Sequence, residues 1–124
     1  MMRLNGDVVA NTVPDITNKV YTVSGLSTYM TSISLDTSEF KMPSKSFYNI
    51  RFSFTPTADI NSISGDITTL TEKPAKDLLI PICTTRGISN NVLHIGTDGK
   101  MNFRNPDFPT CDIGEVHTVD FTYC

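Results

Sequence analysis

Hydrophobic and polar residues alternate along most of this chain with the two-residue period of a β-strand. The cleanest run is Tyr48, Ile50, Phe52 and Phe54 against Asn49, Arg51, Ser53 and Thr55, which predicts a core strand with one apolar and one polar face, ended by Pro56. Val119, Phe121 and Tyr123 alternate with Thr118, Asp120 and Thr122 in the same way and predict a closing strand over 116–123. Val92 to Phe103 reads as a hairpin. Two short alternating runs flank Asp98-Gly99, a dipeptide suited to a two-residue type I′ turn because both positions need positive φ. Leu93 and Ile95 then point to one side of the ribbon and Val92 and His94 to the other, and on the return strand Met101 and Phe103 share a side.

The remaining elements are shorter. Val20–Ser24 is rich in β-branched and aromatic residues, and Met30–Leu35 is expected to set Thr31, Ile33 and Leu35 opposite Met30, Ser32 and Ser34. Residues 36–46 are polar around Pro43 and read as a loop. Ile63, Gly65 and Ile67 suggest a further short strand within 61–70. Leu78–Cys83 is apolar, but Pro81 cannot donate to a ladder, so this strand should lie at an edge or carry a bulge. Residues 84–91 read as a polar turn, and 104–110, with two prolines, as an exposed loop holding Phe108. Apolar residues nowhere keep helical spacing for long, so the fold class is all-β, an antiparallel barrel or sandwich of about eight strands. One domain over 1–124 is expected, with 1–19 a lead-in or edge segment and 20–124 the core.

Composition narrows the function. The chain has 124 residues, 39% hydrophobic and 19% charged, enough to bury a core without disulfide or metal support. A formal net charge of -3 gives no basic stripe for nucleic acid. No apolar run approaches the roughly 20 residues of a membrane-spanning helix, and Met1–Asp7 lacks the apolar centre of a signal peptide, so a soluble protein not addressed for export is expected. Cys83, Cys111 and Cys124 are odd in number and widely spaced, which favours reduced thiols, most simply as small core residues.

Catalytic motifs are missing from the sequence: it has no Gly-x-Ser-x-Gly, His-Glu-x-x-His or Walker loop, and no cofactor motif. His94 reads as a strand residue with a local partner. His117 reads as an exposed strand residue beside Glu115. Asp107 and Asp112 with Glu115 could pair as the acid and base of a glycosidase, but loop carboxylates are usually only solvated. A binding module is therefore expected rather than an enzyme. Its candidate contacts are Arg104, Asn105, Asp107 and Phe108 from the second loop, with Arg86, Asn90 and Asn91 from the turn before the hairpin. Both segments flank one hairpin and can meet at the same end of it. The sequence has no Trp, so aromatic stacking in such a site would fall to Phe108 or to a tyrosine such as Tyr21, Tyr29 or Tyr48.

The order of elements resembles a known family. Gly65-Asp66-Ile67-Thr68-Thr69-Leu70-Thr71-Glu72-Lys73-Pro74, the run ending Leu79-Ile80-Pro81-Ile82, the hairpin on Thr97-Asp98-Gly99-Lys100 and a closing C-terminal strand look like the head domains of phage tail-fibre and baseplate receptor-binding proteins. The resemblance covers residues 47–124. Glu72 and Lys73 stand where that family has an aromatic residue before the proline. It implies a compact β head that forms a homotrimer, binds a host cell-surface glycan during adsorption and sits at the virion's tail tip after assembly in the host cytoplasm. Other tail or baseplate proteins would be its neighbours. No stem is visible before residue 20, so the chain would be a head alone or a head from a longer protein. Two other readings fit the residues: a structural adaptor or trimer-capping domain, for which Leu78–Ile82 would be a packed edge, and a carbohydrate-binding module of a surface enzyme.

Overall fold

A computed structural model describes residues 15–23, 26, 29–57, 66–104, 108 and 110–124. The described residues form eight strands: β1 (Asp15–Tyr21), β2 (Met30–Lys41), β3 (Ser46–Pro56), β4 (Thr68–Thr69), β5 (Leu78–Thr84), β6 (Gly87–Ile95), β7 (Lys100–Arg104) and β8 (His117–Tyr123). A single 3-10 turn, Thr110–Asp112, precedes β8. The strands make one antiparallel sheet in the order β1-β2-β3-β8-β5-β6-β7-β4. The all-β reading therefore holds.

The sheet curls on itself into a half-barrel. Three strands separate β3 from β7 in the order, which in a flat sheet would set them about 19 Å apart at about 4.8 Å per strand. Instead the ring of Phe103 on β7 lies 5.5 Å from that of Phe54 and 6.3 Å from that of Phe52, both on β3. The inward face of β3, Ile50, Phe52 and Phe54, is fully buried, as its alternation predicts. It packs with Leu93, Ile95, Met101 and Phe103 of the hairpin and Val119 and Tyr123 of β8.

Two halves make up the sheet, and among the described residues β5 and β8 join them through the ladder pairs Cys83↔Thr118 and Thr84↔His117. Past those pairs β5 and β8 separate, and the segment before β5 ties the parts together. Tyr123 donates its hydroxyl to the Glu72 carbonyl at 2.7 Å, and the Ala75 amide donates to the Cys124 carbonyl at 3.1 Å. From β1, Tyr21 donates to the Glu72 carboxylate, which also accepts from Thr71 at 2.6 Å. Burial alone would raise the Glu72 pKa, but hydrogen bonds from Thr71, Tyr21 and Thr37 outweigh it and hold the carboxyl below its ordinary 4.5. Glu72 is thus an ionised pin between β1, β8 and the entry to β5.

Several expectations change. Residues 36–41 are strand rather than loop: they form the long end of β2, paired with β1 on one side and β3 on the other. Their polarity is tolerated because partners are built in, as where the buried Ser38 donates to Asn18 Oδ1 at 2.7 Å. A bulge between Thr31 and Ser34, with Ser32 at φ 54°, resets the alternation, so that Met30 and Leu35 are both buried. Residues 15–19, expected as a lead-in or edge, belong to β1 at the sheet's edge. All three cysteines are exposed rather than core, because residues such as Cys83 fall on the outward phase of their strand.

The hairpin turn also differs from the two-residue form. The amide of Gly99 donates to the Gly96 carbonyl at 2.9 Å and that of Gly96 to the Lys100 carbonyl at 3.0 Å, which makes a three-residue loop with Gly99 at φ 85°. Asp98 keeps negative φ and accepts from the Lys100 amide at 3.0 Å. A Cβ on Gly99 would collide with the Leu70 carbonyl oxygen, so the turn is pinned against the segment that crosses it. Pro81 behaves as expected, since the β5–β6 register shifts between Pro81 and Cys83. Residues 61–65 lie outside the described residues, and of that expected strand Thr68–Thr69 pairs with β7.

Candidate functional site

Pairing of β2, β3 and β8 fixes which side chains share the outward face. Register places Asp36, Arg51 and Asp120 in one row across the three strands, with Ser34, Ser53 and Thr118 in the row on one side and Ser38, Asn49 and Thr122 in the row on the other. Rows on one face repeat about every 6.8 Å along a strand and about 4.8 Å between strands. The result is a fixed grid of hydroxyl, amide, guanidinium and carboxylate groups. Phe40 and Phe47, paired with each other and half-buried, form the next row beyond Asn49, and Lys45 Nζ lies 4.9 Å from the Phe47 ring centre.

The grid is not flat. A concavity of about 220 Å³ opens among Ser34, Arg51, Phe52, Ser53, Thr118, Val119 and Asp120. It lies where the β2 bulge interrupts pairing with β3, since a bulge bends its strand and increases local twist. Within the grid, Arg51 pairs with Asp36, the Ser34 and Ser53 hydroxyls are 3.0 Å apart, and Asn49 Nδ2 donates to Asp120 Oδ1 at 2.8 Å and Thr122 Oγ1 at 3.2 Å. These bonds hold the groups in place on rigid strands while their outer sides stay open to solvent. Among the described residues no group of His, Cys, Asp and Glu is arranged to hold a metal ion.

The residues singled out from sequence are dispersed. Arg86 stands in the β5–β6 turn, half exposed, with Nη2 donating to Asp112 Oδ1 at 2.7 Å and Nε 3.6 Å from Glu115 Oε1. It therefore meets the 3-10 turn and the segment before β8 rather than any described residue of 104–110. Its charge is already occupied there. Asn90 and Asn91 lie inside β6, not in a turn, and Asn91 is fully buried with Nδ2 donating to Ser89 Oγ at 2.8 Å. Arg104 is exposed at the end of β7, opposite Val92. Asn105 and Asp107 lie outside the described residues.

Phe108 is a core residue. It is fully buried, edge-on to Phe54 at 5.7 Å and Phe103 at 5.4 Å, so it offers no face to a ligand. His117, read as exposed, is fully buried and stacked on Phe54 with ring centres 5.1 Å apart. Its Nδ1 meets the Glu115 carbonyl at 2.9 Å, not the carboxylate. Asp112 and Glu115, weighed as an acid and base, both turn towards Arg86. His94 Nε2 lies 3.9 Å from Asp77 Oδ2, beyond hydrogen-bond reach, and is buried with no hydrogen-bond partner among the described residues, so the local hydrogen bond expected for it is not made there.

Sequence reasoning recognised the polar faces of β3 and β8 but not that they adjoin. The signal was the alternation itself; what was lacking was the pairing of residues such as Asn49 and Thr122. The chain matches no protein-family model and no curated protein.

Proposed function

We propose that this chain is a carbohydrate-binding domain whose site is the outward grid on β2, β3 and β8. Within that class it is read as the head domain of a phage receptor-binding protein that engages a host cell-surface saccharide during adsorption, in the tail fibre or baseplate of the virion. The observation that carries the reading is the shallow concavity where Ser34, Arg51, Ser53, Thr118 and Asp120 ring a floor that includes Phe52 and Val119. A saccharide presents many hydroxyls that both donate and accept, and hydroxyl, guanidinium and carboxylate groups held on strands meet them without ordering a loop first. Phe40 and Phe47 supply apolar aromatic area beside the polar rows, against which the less polar face of a sugar ring can pack.

The order of elements leading to the Thr97–Lys100 turn is what favours a phage head over other sugar-binding modules. A second reading, a structural adaptor or capping domain of the tail, is favoured by one feature: the outward faces of β5 and β6 expose Leu79 at 60% and Ile88 at 75%. A glycan array probed with the intact chain separates the two. Binding that Asp120→Ala and Arg51→Ala abolish, and that Arg104→Ala leaves in place, supports the grid as a saccharide site. Binding lost with Arg104→Ala alone would move the site to the loops, and no glycan binding together with tight association with another tail protein would favour the adaptor.

A further inference from the structure

We propose that β1 is a self-pairing edge, through which two copies of this chain join by antiparallel β1–β1 contact centred on Asn18. β1 is the outer strand of the sheet, paired with β2 along its whole length and with no other described strand on its free side. Residues 16–20 are all exposed, and the β1–β2 register runs unbroken from Asp15 to Tyr21, with neither bulge nor proline. Such a strand presents unused backbone N–H and C=O groups in a straight row, which is a template for another strand. The opposite edge is β4, with two residues, and is too short to serve.

Within the described residues of β1, the devices that normally protect an edge are missing or diverted. Lys19 is the cation within the exposed run, and a lysine on an edge usually deters pairing. Its Nζ is drawn inward, 3.2 Å from Thr71 Oγ1 and 4.8 Å from the Tyr21 ring centre. The outward face instead carries Ile16 at 57% exposure and Val20 at 81%.

Those two residues identify the occupant as a second copy. Ile16 and Val20 sit symmetrically about Asn18 on one face, so antiparallel pairing centred there sets Ile16 of each copy opposite Val20 of the other, twice. The same register extends the cross-strand row Phe47, Phe40, Ile16 onto the second copy's Val20 and joins two sheets into one. Both exposed apolar side chains then gain aliphatic cross-strand partners. A pairing of seven-residue strands buries less than the roughly 1,200 Å² at which stable interfaces begin, so the association is concentration-dependent.

The test uses register. In the full chain with Cys83, Cys111 and Cys124 replaced by serine, Asn18→Cys places its thiol opposite its own counterpart. Directly opposed Cα atoms are about 4.5–5.5 Å apart, within the about 4.4–6.8 Å that a disulfide spans. Mild oxidation should convert Asn18→Cys to a covalent dimer. Ile16→Cys and Val20→Cys should each stay monomeric alone but cross-link when mixed. Val20→Lys, at a site exposed in the single chain, should abolish the dimer in sedimentation with an unchanged circular dichroism spectrum. The proposal is overturned if Asn18→Cys does not cross-link at high concentration, if all three single cysteines cross-link equally, or if the chain sediments as a trimer that Val20→Lys leaves intact.

Discussion

The two halves of the sheet use their inner faces alike and their outer faces differently. In β3 the inward Ile50, Phe52 and Phe54 are sealed, while the outward rows across β2, β3 and β8 carry Ser, Asp, Arg, Asn and Thr in a mutually bonded grid. In β5 and β6 the inward Ile80, Ile82, Leu93 and Ile95 are just as buried, but the outward row offers Leu79, Pro81, Cys83 and Ile88. Core formation constrains one phase of each strand and leaves the other phase free. What occupies the free phase therefore reports on contacts beyond the fold. A polar grid with a concavity suits a small hydroxylated ligand, and an apolar row suits a macromolecular neighbour.

If the halves are one cooperative unit joined through their inner faces, the largest effect should come from the ring that bridges them. Phe54→Ala is expected to cost about 4 kcal/mol, and hydrogen exchange should show protection falling together in β3 and β6. Loss confined to one half would mean that the halves fold separately. Gly99→Ala should cost roughly 3 kcal/mol, since it combines a positive φ with a clash against Leu70. Urea titration would measure the loss, and here the hairpin half should lose protection first.

Glu72→Gln should cost roughly 1–2 kcal/mol by weakening charge-assisted hydrogen bonds from Tyr21 and Thr71. Because the folded pKa of Glu72 lies below 4.5, its ionised form favours the native state. That contribution is present above about pH 4.5 and is lost as pH falls through the lower folded value. Thermal unfolding between pH 5 and 3 should therefore fall less steeply in Glu72→Gln than in the parent chain. The smallest effects on stability belong to the outer faces: Arg51→Ala and Ile88→Thr should each stay under about 1 kcal/mol. They part in function, since Arg51→Ala is expected to lose glycan binding and Ile88→Thr to keep it.

Legibility followed range along the chain. The alternation of Tyr48–Phe54 and of Val119–Tyr123 names its own buried face, because the side-chain period in a strand is fixed at two wherever pairing is regular. It failed at Met30–Leu35, where the bulge at Ser32 shifts the phase, and at residues 36–41, whose polar side chains gain partners only from β1 and β3. Phe108 was misread because its proline flanks suggest an exposed loop, whereas its ring is buried against Phe54 and Phe103.

The amino-acid order alone determined that this is a β protein, which residues of its regular strands face inward, and where its hairpin reverses, since each of those follows from local backbone sterics and side-chain periodicity. Only the tertiary structure decided that the polar faces of β3 and β8 adjoin, that Arg86 is already neutralised by Asp112 and Glu115, and that Phe108 and His117 are core. Those outcomes depend on which distant strands pair, and pairing is settled by burying the whole inner face at once rather than by any one segment.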